Sequence, residues 1–286
     1  MIPVFVIVKD RITVLKQSME SWLTLIKSPI EIILLDQEST YPGMIEFLKE
    51  KEKEGIRVLY LQDTDPIPGN KFPKLEEPVK QVCDEMKASY YVLTDPDIMF
   101  ENIDGDILEF YTYFLETHPG HQAIGPMLVI DDIPNYYPFK SEVIKRHTPF
   151  WEATGEYRVI GKPESINFKG KNVSYQYSPI DTTFALRASG TKPDFTNLSV
   201  RTRHPYTAKH LDWYIDPKNL ATDQQYYIDT SLSHVGISHW AGTWMKFPHS
   251  VKDAGETQGM PKKNPNFETS EMKRMKRSYA RSYKNG

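Results

Sequence analysis

The sequence predicts an α/β fold, a mostly parallel sheet flanked by helices, completed by an aromatic-rich second half. Three observations carry that expectation. Short apolar runs alternate with helix-period stretches through the first hundred residues. Strand and helix in strict alternation give parallel neighbours, because each helix returns the chain to the same end of the sheet. The fourth apolar run, Tyr90-Tyr91-Val92-Leu93-Thr94, ends in Asp95-Pro96-Asp97. That places acids where open α/β sheets gather their ligands.

Each element follows from its own residues. Residues 3–8 are the first strand, and Ile12, Leu15, Met19, Trp22 and Ile26 then recur at helical spacing, with Asp10 as the expected N-cap. Ile30 to Leu35 is the second strand and stops at Asp36-Gln37-Glu38-Ser39-Thr40. Pro42 suits a first helical turn, and the Lys/Glu run at 49–54 is a solvated face. Ile56 to Leu61 is a third strand, and Pro66, Pro68, Gly69 and Pro73 make 63–73 a loop. Val79, Val82, Cys83 and Met86 form a helical stripe behind Pro78. A helix carrying Ile107, Leu108, Phe110, Tyr111, Phe114 and Leu115 leads to a strand near Gln122 to Ile130. Beyond it the segments shorten around Tyr136-Tyr137, Phe150-Trp151, Trp213-Tyr214 and Tyr226-Tyr227. Such rings either complete a core or offer flat faces to a sugar.

Composition narrows the class. With 39% hydrophobic and 26% charged residues over 286 positions, the chain can build a core and a water-facing surface. A net charge of −3 gives no general attraction to nucleic acid, and none is expected as a partner. One cysteine, Cys83, excludes a disulfide framework and a cysteine zinc site. The opening Met1-Ile2-Pro3-Val4-Phe5-Val6-Ile7-Val8-Lys9-Asp10 has no basic leader region and too short an apolar run to span a bilayer, so a cytoplasmic location is expected. Neither Gly-x-Gly-x-x-Gly nor Gly-x-x-x-x-Gly-Lys follows a strand, which sets aside dehydrogenase and P-loop chemistry.

Asp95 and Asp97 are two apart, so in extended backbone their side chains point to one side. Paired acids repel unless a positive charge lies between them. A divalent cation such as Mg²⁺ or Mn²⁺, which also takes phosphate oxygens, fits that need. A capped loop is the alternative.

Taken together, Val8-Lys9-Asp10-Arg11, Asp36-Gln37-Glu38-Ser39-Thr40, Asp95-Pro96-Asp97, Ser178-Pro179-Ile180-Asp181-Thr182-Thr183-Phe184-Ala185-Leu186, His210-Leu211-Asp212-Trp213-Tyr214 and Ser238-His239-Trp240 resemble, in order and spacing, the GT-A fold nucleotide-sugar glycosyltransferases, particularly their family 2-like group. The resemblance covers residues 2–245. It implies a GT-A, Rossmann-like domain over 1–250, with a nucleotide-binding half at 1–100 and an acceptor-binding half at 101–250. Residues 251–286 form a basic loop and tail.

The resemblance also implies roles. Asp97 would hold the cation, Asp95 the cation or the ribose, and His239 would be the third ligand, with His234 its rival. Asp36 would take the base or ribose of the donor, and Asp10, beside Lys9 and Arg11, would touch the nucleotide, although the family more often has Asn there. Asp181 would be the base of an inverting reaction; Asp212, Glu152 and Asp223 are its rivals, because the family's usual Glu-Asp dipeptide is missing. The donor would be a nucleotide-sugar, UDP-linked on family grounds, and the acceptor a glycan or a lipid-linked glycan. A nucleotidyltransferase that makes nucleotide-sugars and a non-catalytic sugar-binding relic of a transferase are the alternatives.

Between Lys262 and Gly286 eight Lys or Arg face two Glu, and Met272, Met275, Tyr279 and Tyr283 share one helical side. Such a helix can lie on an anionic membrane as a peripheral contact, dock on the catalytic domain or stay disordered. Lys246 to Pro265 is a candidate donor-closing loop.

Overall fold

The computed structural model describes residues 1–62, 75–153, 160–193, 196, 198–231, 237–240 and 243–245. The predicted loop at 63–73, His234, the 246–265 loop and the basic tail lie outside the described residues.

The chain runs β1 (Ile2–Val8), α1 (Ile12–Leu25), β2 (Ile30–Gln37), α2 (Pro42–Lys53), β3 (Arg57–Leu61), α3 (Glu76–Met86), β4 (Tyr90–Thr94), β5 (Ile98–Phe100), α4 (Ile107–Thr117) and β6 (Ala123–Leu128). It continues with α5 (Lys140–Glu152), β7 (Glu164–Phe168), β8 (Lys171–Tyr177), β9 (Ala185–Ala188), β10 (Ser199–His210), α6 (Thr222–Ser231), β11 (Ile237–Trp240) and β12 (Thr243–Met245). A 3₁₀ turn at Leu211–Tyr214 follows β10.

Ten strands form one sheet in the order β3-β2-β1-β4-β9-β6-β10-β8-β7, with β5 paired to β10 off that path. β1, β2, β3, β4, β6, β7 and β10 run one way, and β5, β8 and β9 run the other. The result is the mixed, mostly parallel sheet flanked by helices that the alternating pattern predicts. A separate ribbon pairs β11 with β12.

The central strands are apolar along their whole length because both faces are covered. Val4, Val6, Ile32, Leu34 and Val92 point to one side, where Leu15, Met19 and Trp22 of α1 and Met44, Phe47 and Leu48 of α2 pack. Phe5, Ile7, Ile33, Leu35, Tyr91 and Leu93 point to the other, against Val79, Val82 and Cys83 of α3. Each fully buried side chain of this size contributes about 1.5–3 kcal/mol. Cys83 is buried among them, a small apolar packing residue as expected.

One expectation changes. Asp10 does not cap α1; Arg11 occupies that position with no side-chain bond. A positive φ of 58° turns Asp10 toward the neighbouring strand end. There its Oδ1 accepts the amides of Thr40 (2.6 Å) and Tyr41 (2.8 Å) and so braces the turn that leads into α2. The cap of α1 comes from across the fold, where Asp223 at the start of α6 accepts Thr13 N and Oγ1, both at 2.7 Å.

Candidate functional site

The parallel strands deliver their polar termini to one edge. Lys9-Asp10-Arg11 follows β1, Asp36 closes β2, Asp95-Pro96-Asp97 follows β4, and His210 ends β10 and leads into Asp212. The carboxyl ends of such strands are where an α/β sheet binds its ligands.

The Asp-Pro-Asp segment is a turn between two strands rather than the tail of one. Asp95 and Asp97 therefore face different neighbours. Asp95 is tied to the segment ahead of β9: its amide donates to the Thr182 carbonyl (2.8 Å) and its Oδ2 accepts Thr182 Oγ1 (2.6 Å). Asp97 is buried, and β5 places it beside β10 through the antiparallel pair Ile98–His210 and the bond from Leu211 N to the Asp97 carbonyl (2.7 Å). The indole of Trp22 in α1 secures that short strand by donating to the Ile98 carbonyl (2.9 Å).

This register builds a cluster. One oxygen or nitrogen each from Asp97, His210 and Asp212 lies within 4.8 Å of the others, a spacing that suits a single cation. His210 Nδ1 is 3.6 Å from Asp97 Oδ2, and the imidazole stacks on Trp213 with ring centres 4.9 Å apart. Asp97 Oδ1 and His210 Nδ1 are both buried and make no hydrogen bond. Buried polar atoms are nearly always partnered, so this pair marks a site built for something else. Two carboxylates and an imidazole suit Mn²⁺; Mg²⁺ prefers oxygen ligands throughout.

Arg11 enters the cluster from the opposite side. Its Nη2 donates to Asp97 Oδ2 (3.1 Å), its Nη1 donates to Asp212 Oδ1, and the Tyr227 ring of α6 lies 4.9 Å from its guanidinium carbon. Burial works against the charge on Arg11, but Asp212 and Asp97 outweigh it and raise its pKa. Burial likewise opposes the charge on Asp97, yet His210 and Arg11 hold its carboxyl below the usual range. Asp212 goes the other way, pushed up to about 6 by burial despite Arg11. Burial, with Asp97 and Asp181 as neighbours, raises Asp95 well above the usual range. Two acids separated by one proline thus diverge in proton affinity.

The remaining sequence-predicted residues fall around this centre. Asp36 is buried at the end of β2, its carboxylate accepts Ser39 N at 3.3 Å, and desolvation raises its pKa. Asp10 braces the same turn. Asp181 is partly buried just beyond Pro179 and close enough to Asp95 to perturb it, and its Oδ1 accepts Thr183 Oγ1 at 3.3 Å. Of its rivals, Asp212 belongs to the cluster, Asp223 caps α1, and Glu152 ends α5 on the surface. His239 is on β11, and its side chain lies outside the described residues.

Sequence reading missed His210 as a potential ligand and Arg11 as a bridge. The signal for the first was His-x-Asp, with His210 closing β10 and Asp212 in the 3₁₀ turn that follows it. Nothing local announced the second, because Asp212 lies 201 residues away from Arg11.

No protein-family model and no curated protein match this chain. Solved structures do. Mannosyltransferase PcManGT from Pyrobaculum calidifontis, solved with GDP-Man and Mn²⁺, is 15% identical at a TM-score of 0.32, over 46% of this chain and 36% of that one. S. aureus TarS 1-349 with UDP-GlcNAc is 14% identical at 0.33, over 48% and 37%. Glucosyl-3-phosphoglycerate synthase from Mycobacterium tuberculosis with Mn²⁺, UDP-Glc and phosphoglyceric acid is 14% identical at 0.34, over 66% and 56%. The chain spans less than two thirds of the length of each of these structures.

Proposed function

We propose that this protein is a metal-dependent glycosyltransferase that moves a sugar from a nucleotide-diphosphate donor to a hydroxyl of a glycan or lipid-linked acceptor. One observation carries the reading. Asp97, buried at the carboxyl end of the parallel strands with one oxygen unpartnered, meets His210 and Asp212 within 4.8 Å. The order of motifs along the chain supports it independently. The site adjoins the Asp36 turn that would receive the donor's base or ribose, and on its other flank the Asp181 segment that would receive an acceptor.

In this reading Asp97, His210 and Asp212 hold a divalent cation, Mn²⁺ by the donor set, with Asp95 beside it. Bound there, such an ion supplies positive charge where the departing diphosphate becomes more negative. The protein's own groups do the rest. Asp36 accepts hydrogen bonds from the nucleoside, and Asp10 keeps the 36–41 turn in place. The acceptor oxygen bonds to the anomeric carbon as the bond to the diphosphate breaks, and the electron pair leaves with the nucleotide. Asp181 takes the proton released by that hydroxyl, which a partly exposed carboxylate can accept and return to water. Such a displacement inverts the anomeric centre. His239 remains a further ligand candidate from the motif order alone.

A nucleotidyltransferase would release pyrophosphate from a nucleoside triphosphate, and a relic would bind without turnover. The deciding experiment incubates the protein with UDP- and GDP-sugars and Mn²⁺ and measures free nucleoside diphosphate. Release that stops with EDTA and falls at least about a hundredfold in Asp97→Ala, with the fold kept, is the expected result. Release indifferent to both would refute the assignment.

A further inference from the structure

The cluster already contains a cation of the protein's own. Arg11 forks across Asp97 Oδ2 and Asp212 Oδ1 beneath the Tyr227 ring, with its side chain 11% exposed. A guanidinium carries only donors, and this one directs two of them at the carboxylates, while no bond reaches His210 Nδ1. The carboxylates are bridged, while His210 Nδ1, 3.6 Å from Asp97 Oδ2, and the second oxygen of Asp97 make no hydrogen bond. A divalent ion could serve all three residues; Arg11 serves two.

We propose that Arg11 is an internal placeholder for the divalent cation, displaced toward the donor's diphosphate when the substrate arrives, so that metal and donor bind with positive coupling. The inference rests on the metal and donor reading of the previous subsection. A metal ion between Asp97 and Asp212 would face the Arg11 charge across the same two carboxylates, and like charges at such distances repel strongly in a partly buried site. Arg11 must yield or the metal must bind weakly. A diphosphate provides the exit, because a guanidinium fork binds phosphate oxygens as well as it binds carboxylates.

Arg11 lies three residues past the end of β1, after Lys9 and Asp10, so a side-chain rotation keeps it at the same strand end. The α6 residue Tyr227 covers its resting position. In the free protein one guanidinium charge sits between the two acids and weakens the site for stray cations. With donor present the same arginine becomes a phosphate ligand, and the two carboxylates it bridged are released together. By linkage, whatever factor the donor contributes to metal affinity the metal must contribute to donor affinity.

The test measures Mn²⁺ affinity by electron paramagnetic resonance on the full chain, with and without UDP, and with GDP in place of UDP, for the native protein and Arg11→Gln. The native protein should bind Mn²⁺ weakly alone and about tenfold or more tightly with a nucleotide, a usual size for coupling between sites. Arg11→Gln should bind Mn²⁺ about tenfold tighter without nucleotide and gain little from adding it. Arg11→Lys, which keeps the charge but loses the fork, should fall between them and covers the case in which Gln fails to fold. Equal or weaker nucleotide-free Mn²⁺ binding in both variants would overturn the placeholder while leaving the metal site standing. Absence of Mn²⁺ binding in every protein, even with nucleotide bound, would remove the underlying metal reading along with it.

Discussion

Asp97 and Asp212 share one arginine yet respond to it differently. Arg11 and His210 together keep Asp97 ionised, whereas burial wins at Asp212 and lifts its pKa to about 6. The folded protein therefore holds a proton on Asp212 more tightly than the unfolded chain does. Its contribution to stability is full below the ordinary value of 3.8 and is lost as pH rises through about 6. Asp212→Asn removes that titration. Relative to the native protein in metal-free buffer, the variant should gain stability on going from about pH 4 to about pH 7.5, by on the order of 1 kcal/mol. Thermal melts of both proteins across that range measure it; a difference that stays constant with pH would contradict the assignment. Asp95 and Asp97 were plain in the sequence as a pair after the fourth apolar run, whereas the meeting of Asp97 with Asp212 was not. The unlike proton affinities of Asp97 and Asp212 were not legible either, because they come from burial, Arg11 and His210, which only the folded chain supplies.

Helices and strands of the first hundred residues were legible because each announces itself by period. The boundaries lie within a residue or two of the apolar runs, as at β2 and β3. β5 escaped notice since three residues carry no usable period, and its partner is β10, far along the chain. The caps escaped for a related reason. A local rule assigns Asp10 to the helix that follows it, but its backbone turns it to α2, and Asp223 reaches back 210 residues to cap α1. That exchange couples α6 to the site: Asp223 anchors the first turn of α6 to Thr13, Tyr226 Oη donates to Thr40 Oγ1 (3.1 Å), and Tyr227 then lies over Arg11. Asp223→Ala should cost about 1–2 kcal/mol, the usual loss for a removed cap, read as a lower Tm. Asp223→Asn, which can still accept Thr13 N, should lose less. Equal melting of both variants and the native protein would show that α6 is held by its aromatic contacts alone.

The molecule joins two differently built halves at one edge. The parallel strands β1 to β4 bring Arg11, Asp36, Asp95 and Asp97, and the later, mixed strands bring Asp181, His210 and Asp212. β9 is the seam, antiparallel to both β4 and β6, and the 178–184 segment ahead of it carries Asp181 to the flank of Asp95. How closely that segment approaches is set by Gly125 in β6. A Cβ there would stand 2.3 Å from Ile180 Cδ1 and 2.8 Å from the Thr183 carbonyl oxygen. The isoleucine tip can turn aside, but the carbonyl belongs to backbone already held by Asp95 N and Thr182, so the whole segment must shift. Gly125→Ala should therefore move Asp181 by a few tenths of an ångström or more relative to Asp97, which is held by β5 and β10 rather than by that segment. Mn²⁺ and nucleotide binding should stay near native values. Transfer to the acceptor should fall by about ten- to a hundredfold, since misplacement of a reacting group on the ångström scale has that effect. Asp181→Asn should give the same split between binding and turnover if its carboxylate is the proton acceptor. A Gly125→Ala protein that loses Mn²⁺ binding and turnover together would instead show that the 178–184 segment, through Asp95, also holds the cation.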